Sequence, residues 1–167
     1  MKNTHAPIFD LRDLFLSQLR DIRNAELRLA EGLDKLNEQS FHFELKETLE
    51  HHRRQTSQHL SRLDTVFHTL DENTGGEESV AMKSLLDQTF RILERCETPV
   101  VADAALITAI QHINHYEIAT YGTIVAFAQS LDLHTVAGHL LDTLRDEKEI
   151  DHRLSELAMG YINEEAK

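Results

Sequence analysis

Acidic and histidine residues interrupt four apolar patterns of this chain near their middles. Each pattern repeats apolar residues in steps of three and four, which is the spacing of one helix face. The interrupting residues are Glu26, His52, Glu117 and Glu147, and Asp151 follows Glu147 by one helical turn. Carboxylates buried together repel one another unless a positive charge neutralises them. Because carboxylate and imidazole ligands suit iron and manganese, these residues are candidate ligands for either metal.

The links between the helices determine which of these residues lie side by side. In an antiparallel hairpin, two residues equidistant from the turn lie at the same height. Glu117 and Glu147 are equidistant from residue 132, so we expect them to face one another. Glu26 and His52 are equidistant from residue 39, so we expect these two at one level as well. Each hairpin therefore brings a glutamate against a second acid or a histidine.

The acidic candidates also have an ordinary structural interpretation. Glu26 and Glu117 fit surface glutamates, or buried acids held by a tyrosine, a threonine or Arg54. Glu147 and Asp151 fit a solvated acidic face equally well. The sequence leaves both interpretations open.

His52 and His59 are seven residues apart on one predicted helix. Seven residues span about 10 Å of a helix, so the two imidazoles cannot bind one ion. We include His52 among the ligands and expect His59 to be a core histidine with its hydrogen bonds satisfied.

Long helices must position these residues. Turn-forming residues 71–78 and a shorter amphipathic segment around residues 80–93 separate two pairs of long helical patterns, which indicates a crossover that carries an extra short helix. We predict one all-α domain over residues 1–167, a four-helix bundle with hairpins at about 9–70 and 99–163 joined by the crossover 71–98. The apolar positions of the four patterns are Phe15, Leu19, Ile22, Leu29, Leu33 and Leu36; Leu45, Leu49, Leu63, Val66 or Phe67, and Leu70; Leu106, Ile110, Ile113, Ile124, Phe127 and Leu131; and Val136, Leu140, Leu144, Leu154, Ala158 and Tyr161.

Composition excludes several classes of function. The chain has 167 residues and a formal net charge of −12, which repels nucleic acid and anionic membranes. One cysteine, Cys96, allows no internal disulfide, and neither a secretory signal nor a membrane span is visible, so we expect a cytoplasmic protein. No glycine-rich phosphate loop or nucleophile motif supports nucleotide binding or acyl transfer.

The chain has a His-Tyr-Glu-Ile-Ala run at 115–119 that is followed by Tyr-Gly, and shorter motifs around Glu26, Asp103 and Glu147. Together these motifs resemble the YciE/YciF group of bacterial ferritin-like proteins, especially its YciF branch. The likeness covers almost the whole chain, and its most specific part is the His-Tyr-Glu-Ile-Ala run at 115–119 with the Tyr-Gly that follows. The resemblance implies a rubrerythrin-like, ferritin-like four-helix bundle, an association with stress, a cytoplasmic location and a ferroxidase-like role. The other residues that carry it are Asp13, Leu14, Phe15, Ala25, Glu26, Asp103, Ala104, Ala105, Leu106, Ile107, Glu147, Lys148 and Asp151.

Three residues depart from the pattern of that group. Arg54 and Gln55 stand where a pair of glutamates is common, and Asn114 stands where another glutamate is common. Replacing acids by a cation and two amides lowers the negative charge available to a pair of metal ions. We therefore expect a site for iron or manganese that is incomplete as a dinuclear centre.

Two functions follow from this sequence. The first is a stress-associated, metal-dependent oxidoreductase with weak ferroxidase activity, and the second is a non-enzymatic structural or stress-response bundle with a degenerate metal site. We also expect a homodimer, because apolar residues outside the seams, such as Leu11, Leu16, Leu141 and Leu157, require cover.

Overall fold

The computed structural model describes residues 7–76 and 78–167 of the chain, and within them it contains helices and no strand. The expected all-α fold with an extra helix in the crossover is confirmed. The helices are α1 (Leu11–Glu38), α2 (Phe43–Leu70), α3 (Val80–Leu93), α4 (Pro99–Ser130) and α5 (His134–Leu157), followed by a π-helical turn (Ala158–Ile162) and a last short turn (Asn163–Glu165).

Side-chain caps define the starts of α1 and α4. The Asp10 carboxylate accepts a hydrogen bond from the Asp13 backbone N–H at 2.8 Å. The Thr98 hydroxyl accepts one from the Val101 backbone N–H at 3.4 Å, and Pro99 occupies the first turn of α4. Both arrangements satisfy backbone donors that a helix leaves free at its start, and proline there sacrifices no helical hydrogen bond.

Asp103 near the start of α4 ties down the loop between α1 and α2. Its buried carboxylate accepts hydrogen bonds from the backbone N–H groups of Phe41 at 2.9 Å and His42 at 2.8 Å. The Ser40 hydroxyl lies 3.3 Å from the same side chain. The bond geometry thus places the start of α4 beside the end of α1, so these two helices run antiparallel.

The four long helices form a ring in the order α1, α2, α5, α4. The turn that follows α5 contacts the start of α2. There the Tyr161 hydroxyl donates to the Glu44 carboxylate, so α2 and α5 are also antiparallel. Helix α3 packs on the outside of the ring, against α1 and α4. The crossover therefore returns the chain along the length of the bundle and covers one of its four faces.

Apolar side chains fill the bundle above and below a polar layer at its middle. Phe15, Leu19 and Leu36 on α1 are fully buried, as are Leu106 and Ile124 on α4. Burial of side chains of this size contributes about 1.5–3 kcal/mol each, so the apolar ends supply the stability that a polar middle layer does not. No helix in the described part of the chain is long and apolar enough to cross a membrane.

The apolar residues that led us to expect a homodimer lie mostly inside this fold. Leu16 and Leu157 are buried and Leu141 is half-buried, because the ring and the turn after α5 cover them. The premise that these side chains require cover by a second copy of the chain was wrong. Large apolar side chains are exposed elsewhere, including Phe43 and Met159 at the end of the bundle that carries the loop between α1 and α2.

Candidate metal centre

Four of the predicted ligands meet in the polar layer at the middle of the bundle. Glu26, His52, Glu117 and Glu147 come from α1, α2, α4 and α5, and none has measurable exposure to solvent. Each lies within a few residues of the middle of its helix, so the antiparallel ring brings them to one height. His59, on the same helix as His52, is equally buried in this layer.

The layer contains two groups of three potential ligands that share Glu147. In each group one ligand atom from every residue lies within 4.8 Å of the others. We call Glu26, His59 and Glu147 the Glu26 side, and His52, Glu117 and Glu147 the Glu117 side. A carboxylate shared between two groups is suited to bridge two cations, since each of its oxygens offers lone pairs.

The two oxygens of Glu147 face different groups. Its Oε1 lies 3.1 Å from His59 Nδ1, and its Oε2 lies 3.6 Å from His52 Nε2. His59 Nδ1 also lies 3.2 Å from Glu26 Oε1. Despite these short distances, His59 Nδ1 and Glu147 Oε1 lack the alignment of a hydrogen bond. His59 Nδ1, Glu26 Oε1 and Glu147 Oε1 therefore form a close cluster of three potential ligand atoms.

Further side chains hold the Glu26 side in place. The Tyr121 hydroxyl donates to Glu26 Oε1 at 2.6 Å. His59 Nε2 lies 3.3 Å from Asp146 Oδ2, and the Arg62 guanidinium donates to the same oxygen at 2.5 Å. A carboxylate behind an imidazole fixes the ring and directs its other nitrogen, here Nδ1, toward a metal.

On the Glu117 side, the side chain of Asn114 forms a hydrogen bond with Glu147. Its Nδ2 donates to Glu147 Oε2 at 2.6 Å and lies 3.4 Å from the Glu147 backbone oxygen. Asn114 is fully buried one helical turn before Glu117. The Asn114 amide therefore occupies a position from which a carboxylate side chain would face Glu147 in the same way.

The polar atoms of the layer test whether a metal fits. In a folded protein nearly all buried polar atoms have a hydrogen-bond partner, and each exception calls for an explanation. Among the described residues, seven of the fourteen buried side-chain atoms without a partner belong to the two groups, and their chemistry, carboxylate oxygen with imidazole nitrogen, fits iron or manganese. They are Glu26 Oε2, His52 Nδ1 and Nε2, His59 Nδ1, Glu117 Oε1 and Oε2, and Glu147 Oε1.

Without a metal, His59 supplies the positive charge of the layer. Burial alone would lower the pKa of His59, but the charge of Glu26 and the contacts with Asp146 and Glu147 raise it to about 12. Burial raises the pKa of Glu147, yet the adjacent imidazoles of His52 and His59 outweigh that effect and lower it to about 2. The metal-free Glu26 side thus pairs an imidazolium with carboxylates.

Glu117 differs from Glu147, because its pKa is raised rather than lowered. Burial, followed by the charges of Glu147 and Glu26, raises the pKa of Glu117 well above its ordinary value. Burial and Glu26 likewise raise the pKa of the Tyr121 hydroxyl well above its ordinary value, so Tyr121 stays a hydrogen-bond donor. The metal-free layer therefore holds a proton on each side of Glu147.

The structure does not bring Asp151 into either group. Its side chain is 23% exposed, and its Oδ1 lies 3.2 Å from Nε2 of His115, a largely exposed histidine on α4. Although Asp151 follows Glu147 by one turn, the rotation between them directs it to the outer edge of the α4 and α5 contact. It lies at the border of the layer, whereas Glu147 lies in its centre.

Sequence reasoning missed His59 as a potential ligand because it paired Glu26 with His52, whereas the ring nitrogen that lies 3.2 Å from Glu26 belongs to His59. Helix α1 ends at Glu38 and α2 begins at Phe43, so the hairpin midpoint lies beyond residue 39. Side chains also lean toward the start of their own helix, which moves Glu26 and His59 toward one another in an antiparallel pair. The seven-residue spacing of the histidines was the available signal, because it suits two ions at different heights.

The three departures from the family pattern occupy different environments. Arg54 is exposed and lies 3.3 Å from the Glu50 carboxylate, so its charge points away from the layer. Gln55 is buried, with an unpartnered Oε1. Of the three, Asn114 directly contacts a residue of the two groups, which is Glu147.

The relationship to known proteins agrees with this architecture. Residues 10–167 match the profile of the family described as Domain of unknown function (DUF892). The chain belongs to the DUF892 family. Protein YciF of Escherichia coli (strain K12) is 33% identical over 158 residues, which cover 94% of this chain and 95% of YciF. The resemblance to the YciF branch is confirmed.

Three solved structures share the fold of this chain. The crystal structure of the Escherichia coli stress protein YciF matches with a TM-score of 0.90 and 32% identity, over 93% of this chain and 99% of YciF. YcfI of Rhodopseudomonas palustris, described as a proposed structural protein, matches with a TM-score of 0.87 and 31% identity, over 93% of this chain and 97% of YcfI. A protein of Xanthomonas campestris pv. campestris, 18% identical, has the same fold with a TM-score of 0.70, over 95% of this chain and 100% of its own.

Proposed function

We propose that this chain is a cytoplasmic, stress-associated protein that binds iron or manganese in its bundle core and has weak ferroxidase-type activity. The observation that carries the proposal is the pair of buried ligand groups that share Glu147. The description of Escherichia coli YciF as a stress protein supports the association with stress. The ligands we propose are Glu26, His59 and Glu147 on one side and His52, Glu117 and Glu147 on the other, with Asp151 omitted because it lies at the edge of the layer.

The residues of the layer have distinct tasks in this proposal. Bound iron would supply one-electron transfer to oxygen or peroxide. Glu26 and Glu147 balance the charge of the ion, and Asp146 holds the His59 ring so that Nδ1 faces inward. Tyr121 fixes Glu26 by donating to its Oε1 and leaves Oε2 available. The apolar ends of the bundle keep bulk water from the layer, which strengthens each of these interactions.

One observation favours a second function, a structural bundle whose polar layer no longer needs a metal. The metal-free layer offsets part of its own negative charge, because His59 is protonated beside Glu26 and Glu147 while the pKa of Glu117 is raised well above its ordinary value. A buried polar layer of this kind can fix the register of packed helices without binding anything. The description of YcfI as a proposed structural protein agrees with this alternative.

Replacement of Glu147 separates the two functions. Protein purified without chelator and then loaded anaerobically with Fe(II) should contain stoichiometric iron, and Glu147→Gln should lose most of it because both groups lose a ligand. Glu149→Gln, an exposed glutamate two residues away, is the matched control and should keep its iron. If the metal content of the wild type stays substoichiometric and equals that of both variants, metal binding is contradicted and only the structural function remains.

Bound metal should also stabilise the fold. A ligand that binds only the native state adds RT ln(1 + [L]/Kd), or about 2.7 kcal/mol at one hundred times Kd. We expect Fe(II) or Mn(II) to raise the melting temperature of the wild type and of Glu149→Gln but not that of Glu147→Gln. This readout does not depend on turnover, so it tests binding even when oxidation is slow.

We also propose that the protein acts as a homodimer that binds neither nucleic acid, membrane nor nucleotide. Phe41, Phe43 and Met159 are each at least 60% exposed and lie at one end of the bundle, where a second copy would cover them. The net charge of −12 repels phosphate groups. Light scattering that gives a strict monomer at tens of micromolar would contradict the assembly.

A further inference from the structure

The Glu26 side of the layer has supporting contacts behind its ligands. His59 is held from outside by Asp146, which Arg62 holds in turn, and Tyr121 donates to Glu26. Supporting contacts of this kind typically strengthen metal binding by about 10- to 100-fold. This side also combines the Glu26 carboxylate with the Glu147 oxygen that lacks a hydrogen bond, Oε1.

The Glu117 side lacks equivalent support among the described residues. Neither nitrogen of His52 and neither carboxylate oxygen of Glu117 has a hydrogen-bond partner there. The remaining ligand atom, Glu147 Oε2, already accepts a hydrogen bond from Asn114 at 2.6 Å. An ion on this side must share that oxygen with an amide that brings no negative charge.

We propose that the two positions fill in order, the Glu26 side first and the Glu117 side only at higher metal concentration, because Asn114 engages the Glu147 oxygen that the second ion needs. The inference rests on the proposed metal binding and makes Asn114 the residue that sets how many ions the bundle holds. At limiting metal the protein holds one divalent cation, bound by Glu26, His59 and Glu147.

Titration of metal-free, full-length protein with Mn(II) tests the order directly. Calorimetry should resolve one tight equivalent and a second that binds at least about tenfold more weakly. Electron paramagnetic resonance should detect isolated Mn(II) during the first equivalent. The spectrum of a magnetically coupled pair should appear only with the second, because the shared Glu147 holds the two ions close together.

Two variants change the two sides separately. Asn114→Asp exchanges the amide for a carboxylate of the same shape, so the second Mn(II) should bind at least about tenfold more tightly. Asn24→Asp makes the same exchange on α1, where the Asn24 amide donates to the Arg20 backbone oxygen, and serves as the control for added charge. Asp146→Asn removes support behind His59 and should weaken the first equivalent by about 10- to 100-fold.

Each result counts for or against the order of filling. Two equal affinities in the wild type, or a coupled Mn(II) pair from the first addition, would overturn it whether or not any variant folds. A second affinity raised equally by Asn114→Asp and Asn24→Asp would remove Asn114 as the determinant. Absence of tight Mn(II) and Fe(II) binding at either position would instead contradict the proposed function itself.

Discussion

The two sides of Glu147 contain the same residue types in the same numbers, yet in metal-free protein a proton is favoured on an imidazole on one side and on a carboxyl group on the other. On the Glu26 side the contacts of His59 raise its pKa to about 12, and on the Glu117 side burial and the charges of Glu147 and Glu26 raise the pKa of Glu117 well above its ordinary value. Their surroundings also differ, because Asp146 lies behind His59 on one side while the Asn114 amide donates to Glu147 Oε2 on the other. Neighbouring contacts therefore determine what a pair of carboxylates and an imidazole can do.

The largest expected effect contrasts the two histidines in metal-free protein. His59→Gln should lower the free energy of unfolding by about 3–5 kcal/mol, because it leaves Glu26 and Glu147 buried without their cation. His52→Gln should cost less, about 1–2 kcal/mol, because it removes one of the two imidazoles beside Glu147 but no hydrogen bond of its own. Urea unfolding in the presence of a chelator measures both values. Equal losses would mean that the two sides do not differ.

An intermediate effect depends on pH and isolates the Glu117 side. Folded metal-free protein keeps Glu117 protonated above the ordinary pKa of 4.5, whereas the unfolded chain releases that proton. The raised pKa therefore costs stability as pH rises, by up to about 1.4 kcal/mol per pH unit. Glu117→Gln cannot release a proton, so its advantage over the wild type should be small below pH 4.5 and grow above it.

Unfolding measured between pH 4 and pH 8 checks this prediction. The exposed glutamate variant Glu149→Gln should follow the wild type across the whole range. A constant difference between Glu117→Gln and the wild type would mean that Glu117 titrates normally in the folded protein. In metal-loaded protein the sign should reverse, because Glu117→Gln then removes a ligand.

The smallest expected effect concerns Arg54, which lies outside both sides. Arg54→Glu exchanges a cation for an acid two residues from His52, but the side chain is exposed and paired with Glu50. We expect a change in unfolding free energy of less than about 1 kcal/mol and no change in metal stoichiometry. A gain of bound metal in this variant would show that charge outside the layer contributes to it.

The sequence predicts the fold well because every long helix carries a periodic apolar face. The start of α4 at Pro99 and the extra helix in the crossover follow from local signals, a threonine with a proline and a short amphipathic pattern. Glu117 and Glu147 could be placed opposite each other because only three residues, 131–133, separate α4 from α5. A short link leaves little freedom in the register of a hairpin.

The contacts of the site were harder to predict, for physical reasons. The loop after α1 is one residue longer than the link after α4, and the lean of side chains along a helix moved the partner of Glu26 from His52 to His59. Asp146 lies off the buried face of α5 and carries no periodic signal, so its contact with His59 becomes visible only in three dimensions. A shift of one helical turn changes which side chains of neighbouring helices can form hydrogen bonds with each other.

The position of Asn114 has an evolutionary consequence. Asparagine and aspartate codons differ by one base, so a single point mutation could exchange the amide on Glu147 Oε2 for a carboxylate while the side chain keeps its shape. Glu147 has no such freedom, since its loss would affect both groups at once. Under the proposed order of filling, one base change at position 114 would therefore alter the affinity for a second ion while every other residue of the layer stays the same.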